Sequence, residues 1–390
     1  MRAKGRWFTL HRWLGLVLGL WFALVGLTGS VLVFEEPVDA WLNPLLLTAR
    51  SSGPALSPQQ IVARAQQQQL GHVERIRLPA AEGEVYRLLV RTRPERRVGV
   101  ERVEAMFDPA SGALLGTRSA ESLGLSAPLA MQTLYEFHRN VLLGNAGSNV
   151  VGIAGALLLV SALTGMVLSW PARQAQWRRL LTVNWRASFT RVAFDVHRTA
   201  GVLAAALLLL ATLTGLTLVY VNYVRDAVSL VSKVESFPTI PWRDATGEPA
   251  PLEALLRAVH AQYPEARLRE IRVPAGQLTG YQFFLEQRGD QYRLGDTILW
   301  VHPVSAEILV ERSDRTRNAG ETFMHWLFPL HSGTAFGTAG MVAMSLAGIA
   351  PLLLVLTGLW VWLRKRPGER LAAEHQRARA AARTNEKIGV

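Results

Sequence analysis

Four stretches of this chain carry no charged side chain for long enough to cross a bilayer: Trp13 to Phe34, Val150 to Trp170, Thr199 to Val224 and roughly Phe336 to Leu363. At a rise of about 1.5 Å per residue, each covers the roughly 30 Å of hydrocarbon in a typical membrane. Lipid offers the backbone no hydrogen-bond partners, so such a stretch must satisfy its own amides and carbonyls, and a helix does this within one segment. The sequence therefore predicts a membrane α-helical protein with four transmembrane helices. Its start resembles a secretory signal, with Arg2, Lys4, Arg6 and Arg12 before an apolar run. That run is too long, and no small-residue cleavage site follows it, so it is expected to stay as the first helix.

Charge placement sets the expected topology. Residues 1–12 carry four Lys or Arg and no acid, residues 171–198 carry six against one Asp, and residues 364–390 carry eight against three Glu. The long segments 35–149 and 225–335 hold 12 basic residues against 12 and 14 acids, so none of the net +12 comes from them. The positive-inside rule then places both termini in the cytoplasm and both long segments outside, in the periplasm of a bacterial inner membrane. A sequence pI near 10.7 is accounted for by this topology and by anionic lipid, so no nucleic-acid partner is expected. Zero cysteines exclude disulfides, thiol catalysis and iron–sulfur clusters together.

The chain also repeats itself. "HRWLGLVLGLWFALVGLTG" from His11 and "HRTAGVLAAALLLLATLTG" from His197 share His-Arg, a glycine four residues on (Gly15, Gly201) and Thr-Gly seventeen on (Thr28-Gly29, Thr214-Gly215). His138 is followed by Gly144, Gly147 and Thr164-Gly165 at intervals of 6, 9 and 26, and His331 by Gly337, Gly340 and Thr357-Gly358 at the same intervals. The intervening segments correspond as well. Ser57 to Leu70 reads as a helix, then "HVERIRL", "EVYRLLVR" and "ERVEAMF" as strands and "DPASGALL" as a turn. In the second half, Pro251 to Tyr263 is helical, "RLREIRV", "GYQFFLEQ" and "DTILWV" alternate like strands, and "HPVSAEIL" takes the turn's place.

The expected organisation is an internally duplicated four-helix bundle with two small α+β domains. Its parts are residues 1–34, an N-terminal segment with the first span; 35–140, the first outer domain; and 141–172, the second span. A cytoplasmic loop at 173–198, the third span at 199–224 and the second outer domain at 225–325 follow. The fourth span with its lead-in, at 326–363, and a cytoplasmic tail at 364–390 complete the chain.

Topology sorts the four repeated histidines by depth, His11 and His197 near the cytoplasmic face and His138 and His331 near the outer face. A single histidine at a membrane end reads as an interfacial polar residue. Four at matching positions read as functional, because ionisable groups at membrane depth are costly. Facing imidazoles suit zinc, copper or the axial positions of haem iron. Zinc wants four ligands, usually with Cys or carboxylate among them, and the spans offer none. Haem needs two opposed imidazoles and a flat slot. His11, Gly15, Gly19, Phe22 and Gly26 share one helix face, and small residues there either admit a porphyrin or let helices approach. The paired histidines favour the porphyrin. Arg12, Arg139 and Arg198 each follow a histidine. The positive-inside rule explains Arg12 and Arg198, whereas Arg139 lies on the outer side, where a haem propionate would explain it. His325, in "MHWLFPLHSG", lies six residues before His331 and off its helical face. It is an alternative axial ligand, a substrate contact or a structural histidine beside Pro329, and the sequence leaves these open.

Taken together, the His-Arg…Thr-Gly helices, the "MHWLFPLHSGTAFG" segment and the two insertions with "DPASGALL"-type turns resemble the PepSY-associated transmembrane family. The resemblance runs over about residues 5–366 and is narrower to its FoxB-like members, inner-membrane ferric-siderophore reductases. It implies a haem-b-containing four-helix core, periplasmic PepSY domains and a role in iron acquisition. Carried onto this sequence, the ligands are His11, His138, His197 and His331.

The expected function is thus a di-haem b oxidoreductase. Electrons would enter at an inner haem, cross to an outer one and reduce a ferric siderophore. The haems would be non-covalent, since no cysteine can attach them. No G-x-G-x-x-G follows a strand, so the donor is expected to be separate, a quinol or a cytoplasmic reductase. Two other functions fit the same features: a haem-free PepSY protein that binds peptide or regulates a partner, and a di-haem quinol or periplasmic-protein oxidoreductase with a different acceptor.

Overall fold

The apolar stretches form helices whose ends are set by glycine turns and whose faces are set by small residues. The computed structural model describes residues 2–92, 101–171, 177–235, 247–274, 280–292 and 294–388, with the backbone alone described at 2–4, 179 and 366–388. The expected loop 173–198 and tail 364–390 fall partly outside the described residues.

The first half runs α1 (Arg2–Leu32), α2 (Glu35–Leu42), α3 (Pro44–Leu47), α4 (Pro58–Gln67), β1 (His72–Arg77), β2 (Tyr86–Arg91), β3 (Arg102–Phe107), β4 (Leu114–Ser119), α5 (Ala127–Asn140) and α6 (Gly144–Ser169). After α7 (Trp177–Leu180), the second half runs α8 (Phe189–Val219), α9 (Val221–Ser229), α10 (Leu252–Gln262), β5 (Arg267–Arg272), β6 (Tyr281–Glu286), β7 (Thr297–Val301) and β8 (Ile308–Arg312). It ends in α11 (Ala319–Ser332), a 3-10 turn at Thr334–Phe336 and α12 (Gly337–Ile388). Two compact units result: residues 1–30, 138–219 and 342–390 in one, 31–137 and 220–341 in the other.

Among the described residues, four helices are long and apolar enough to cross a membrane, Gly5–Leu32, Gly144–Ser169, Phe189–Val219 and Thr334–Lys365. In the first unit they close into a ring. α1 meets α6 where His11 reaches Ser161, and α6 meets α8 where Gly155 faces Leu216. α8 meets α12 where His197 reaches Leu354. The ring closes where Gly26 lies against the Gly348 carbonyl so closely that no Cβ fits. Ser30 and Ser345 lock that crossing by exchanging hydrogen bonds, each hydroxyl donating to the other's carbonyl at 2.8 and 3.1 Å.

The repeated glycines that follow His138 and His331 turn out to be turn chemistry. Gly144 and Gly337 adopt φ of +58° and +60°, a left-handed conformation that favours glycine. Three residues on, a Cβ at Gly147 or Gly340 would collide with the Asn140 or Gly333 carbonyl. These turns redirect the chain from the lead-in helices α5 and α11 into α6 and α12.

The second unit departs from the sequence expectation of two separate outer domains. Both insertions share one eight-stranded antiparallel sheet of order β4-β3-β2-β1-β5-β6-β7-β8, symmetric about the β1–β5 seam. There Arg75, Ile76 and Arg77 pair with Arg272, Ile271 and Glu270. Joining the halves removes two exposed edges that would otherwise invite pairing. It also merges two small cores. Ile61 of α4 and Leu255 of α10 pack with Ile76, Leu88, Phe107, Ile271, Phe283 and Leu299 on one face of the sheet. At about 25 cal/mol per Å² of apolar surface, one shared core stabilises more than two small ones. α4 starts on a Ser57–Gln60 capping box with Pro58 in its first turn, and α11 on an Asn318–Glu321 capping box.

Candidate functional site

His11, His197 and His138 sit in the same kind of seat, and each seat is a Thr-Gly pair on another helix. His11 Nδ1 lies 3.0 Å from the Ser161 carbonyl and 3.2 Å from Thr164 Oγ1. His197 Nδ1 lies 2.9 Å from the Leu354 carbonyl and 3.1 Å from Thr357 Oγ1. His138 Nδ1 lies 3.0 Å from the Val25 carbonyl and 3.2 Å from Thr28 Oγ1.

This geometry assigns the tautomer. A carbonyl only accepts, and each threonine spends its proton within its own helix: Thr164 on Ser161 O at 2.8 Å, Thr28 on Val25 O at 2.9 Å and Thr357 on Leu353 O at 2.7 Å. Nδ1 must therefore be the N–H in each ring, which leaves the lone pair on Nε2. A neutral imidazole with an anchored Nδ1–H is the form that ligates metals. The glycine of each pair completes the seat. A Cβ would meet the Cε1 atom of the imidazole at 3.0 Å for Gly165 and His11, 3.1 Å for Gly358 and His197, and 2.8 Å for Gly29 and His138.

Two of these rings come together. His11 and His197 stand 6.2 Å apart, centroid to centroid, with their planes at 82°. His138 does not join them. Its seat, at Val25 and Thr28, lies 14 and 17 residues along α1 from His11, about 21–25 Å at 1.5 Å per residue. His331 is one residue from the end of α11, in the second unit.

The arginines and glycines divide. The Arg12 guanidinium lies over the Phe8 and Trp13 rings at 5.6 and 5.9 Å, and its buried Nε has no hydrogen-bond partner. Arg198 pairs with Asp195 at 3.2 Å and donates to the Thr182 carbonyl at 2.9 Å, yet its buried Nε is also unsatisfied. Buried unsatisfied donors are uncommon and ask for a partner. Asp195, buried on α8, also holds Arg191 at 3.1 Å. Sequence reading missed it, although it is the lone acid of the segment 171–198, spaced i, i+3 from Arg198. Arg139 lies in the last turn of α5. A Cβ at Gly15 would meet nothing within 4 Å, whereas Gly201 faces Leu354 at an ordinary 3.6 Å. Gly19 and Gly26 on the same face as Gly15 meet Val355 and Gly348 of α12. That face therefore serves helix packing along most of its length and is open beside His11.

His325, in the second unit, is engaged elsewhere. Its Nε2 lies 3.1 Å from Asp296 Oδ1, and the Tyr292 ring covers it at 4.6 Å between centroids. The Tyr292 hydroxyl donates to the His325 carbonyl at 2.9 Å. Asp296 accepts from the Gln291 and Tyr292 amides at 2.9 and 3.2 Å. Burial raises its carboxyl pKa, but His325 and those amides outweigh this and hold it below the usual value. Among the described residues, no three His, Cys, Asp or Glu side chains gather to hold a metal ion.

A family model described as PepSY-associated TM region matches residues 8–365 of the chain. No curated protein matches it.

Proposed function

Since the chain belongs to the PepSY-associated TM region family over nearly its whole length, we propose that it is an inner-membrane haem b protein that reduces ferric siderophores. The observation that carries this reading is the His11–His197 pair, two neutral imidazoles with Nδ1 anchored and Nε2 left for a metal, 6.2 Å apart. The residues present fit the group. His11 and His197 would hold the iron through Nε2, the open space beside Gly15 would admit a flat macrocycle, and the unsatisfied Nε atoms of Arg12 and Arg198 would meet its carboxylates.

Bound there, haem supplies one-electron chemistry at iron. The chain's own part is to hold Nε2 in place and to exclude water with apolar helices. The hydrogen bonds from Nδ1–H raise the basicity of each ligand. The family resemblance also implies His138 and His331 as ligands, and His138 has the same kind of seat as the first two. Passing one electron to a ferric chelate converts Fe(III) to Fe(II), which hard oxygen donors hold far less well, and the metal is released. The electron donor is a separate molecule, quinol or a cytoplasmic reductase, and the shared sheet is the periplasmic part that meets substrate. The test is the visible spectrum of the purified protein before and after dithionite. Reduced b-type bands at about two haems per chain are expected by the pairing argument, and a colourless protein overturns the reading.

A further inference from the structure

The sheet carries three clusters of arginine and carboxylate on the described residues, and they are not alike. At the first, Arg91 and Arg102 share Glu74, and Arg102 also holds Glu121. At the second, Arg87 and Arg118 share Glu104, and Arg118 also holds Asp39 at 2.8 Å. Each of these balances two guanidiniums with two carboxylates.

The third, at the β1–β5 seam, does not balance. Arg77 and Arg272 reach Glu270 at 3.2 and 2.8 Å, while Arg75 stands 4.0 Å away from the same carboxylate. Of the further acids, Glu36 lies 3.9 Å from Arg77, while Glu104, already shared by Arg87 and Arg118, exerts only a longer-range pull on Arg75. Three guanidiniums thus face two carboxylates, one of them the fully buried Glu270. Arg75 and Arg272 are direct cross-strand partners, and like charges placed so are destabilising. Among the described residues, Arg75 makes no hydrogen bond of its own, so its fork of donors is unspent. Burial lowers its pKa, and Arg77 and Arg272 lower it further against the pull of Glu270. Arg272 is propped by the Phe284 ring, 4.3 Å below its guanidinium. Side-chain exposures of 34% for Arg75 and 40% for Arg272 leave both able to meet a ligand.

From this we infer that the β1–β5 seam is an oxyanion-binding site, in which Arg75 and Arg272 bind the carboxylate, catecholate or phosphate oxygens of an anionic ligand. Planar guanidinium forks match such oxygens in pairs. That the ligand is an anionic ferric chelate rests on the function proposed above. The other source of the same chemistry is a lipid phosphate, since Glu36 lies only four residues beyond the end of α1.

The full-length protein in detergent is titrated with an anionic gallium(III) catecholate chelate and, separately, with an uncharged gallium(III) hydroxamate chelate. Gallium(III) accepts no electron here, so binding is measured apart from haem reduction. Wild type is expected to prefer the anionic chelate, with affinity falling as salt rises. Arg75→Gln with Arg272→Gln should weaken that binding about tenfold, the size of one charge-assisted hydrogen bond. Arg75→Lys, which keeps the charge, should lose less. Arg75→Gln alone removes no hydrogen bond, so it should melt as wild type does while binding the anionic chelate less tightly. If the chelate fails to bind but phosphatidylglycerol co-purifies with wild type and not with the double variant, the oxyanion site stands and its ligand is lipid. Equal binding of both anions by wild type and the double variant, or no binding of either, overturns the site.

Discussion

The imidazoles of His11 and His197 face one another at 6.2 Å although 186 positions separate them in the chain, each fixed by a threonine on a third and a fourth helix. Neither ring is positioned by its own helix alone. The pair is a product of four-helix packing, so each half of it is exposed to a different set of substitutions.

Replacing His11 or His197 by Ala should therefore abolish the same spectral component. On the function proposed above, each would remove one of the two nitrogens that hold one iron, and the survivor's seat stays intact. His138→Ala should leave that component in place, because the His138 seat is some 20 Å further along α1. Redox-difference spectra of the three purified variants decide this. Loss of one common component in His11→Ala and His138→Ala, with His197→Ala unaffected, would mean that the pairing is wrong.

The threonines act through the histidines. Thr357→Val keeps the shape but deletes the oxygen that accepts from His197 Nδ1 at 3.1 Å, and Thr164→Val does the same for His11. Removing a partner of this kind costs roughly 10–100-fold in metal-site affinity. Haem should bind more weakly and the midpoint potential should move, while Thr→Ser restores both. Haem titration of the apoprotein with potentiometry provides the measurement. A melting temperature that falls in step with haem loss, without rescue by Ser, would indicate a packing role only.

Much of this was legible in the sequence, and the rest was hidden for identifiable reasons. Apolar runs and alternating strands rest on local periodicity, so the four spans and the strands from His72 to Phe107 and from Arg267 to Val301 were readable. The repeat exposed the four histidines and the Thr-Gly pairs. It could not say that Thr164-Gly165 receives His11 from 150 residues away, because a seat between helices has no period. The same limit hid the joined sheet. Arg75, Ile76 and Arg77 alternate as they would beside any neighbour, and nothing in them names Arg272, Ile271 and Glu270 as partners. Asp296 escaped attention because its link to His325 runs from a loop to a helix.

Glycine substitutions separate seat from slot. Gly165→Ala or Gly358→Ala puts a methyl group about 3 Å from an imidazole carbon, tighter than ordinary contact, and should tilt the ring and lower haem occupancy without unfolding the bundle. Gly15→Leu enters open space. The bundle should tolerate it in the absence of haem, while haem binding falls if the macrocycle lies beside Gly15. Haem-to-protein ratios alongside apoprotein melting curves check both, and a Gly15→Leu protein with full haem content would remove Gly15 from the slot.

Acid should weaken the sheet through Glu104. Burial pushes this carboxyl up, but Arg87 and Arg118 outweigh burial and bring it from 4.5 down to about 2. A folded-state pKa below the unfolded one contributes stability that is full above about 4.5 and lost as pH falls towards about 2. At 1.36 kcal/mol per unit, the contribution is on the order of 3 kcal/mol. Melting temperature should fall through that window in wild type. Glu104→Gln should start lower at neutral pH and show a shallower fall, and parallel curves would assign the acid lability to another group.

The His325–Asp296 contact bears on a role that the sequence left open. An axial ligand needs a free nitrogen lone pair, yet Nε2 of His325 lies 3.1 Å from a carboxylate held by two backbone amides. To ligate through Nε2 it would have to leave Asp296, giving up one of the contacts that hold this carboxyl below its usual pKa. His325→Ala and Asp296→Asn should therefore both retain every haem component. If the pair instead delivers a proton to the oxygen freed as Fe(III) becomes Fe(II), both variants should slow release of iron to an Fe(II) chelator. His325→Gln, whose amide can donate to Asp296 but has no acidic proton to give, should preserve stability without restoring the rate. Stopped-flow reoxidation of dithionite-reduced protein across pH, with haem content measured on the same samples, separates these outcomes. Loss of a haem band in His325→Ala but not in Asp296→Asn would restore His325 as a ligand.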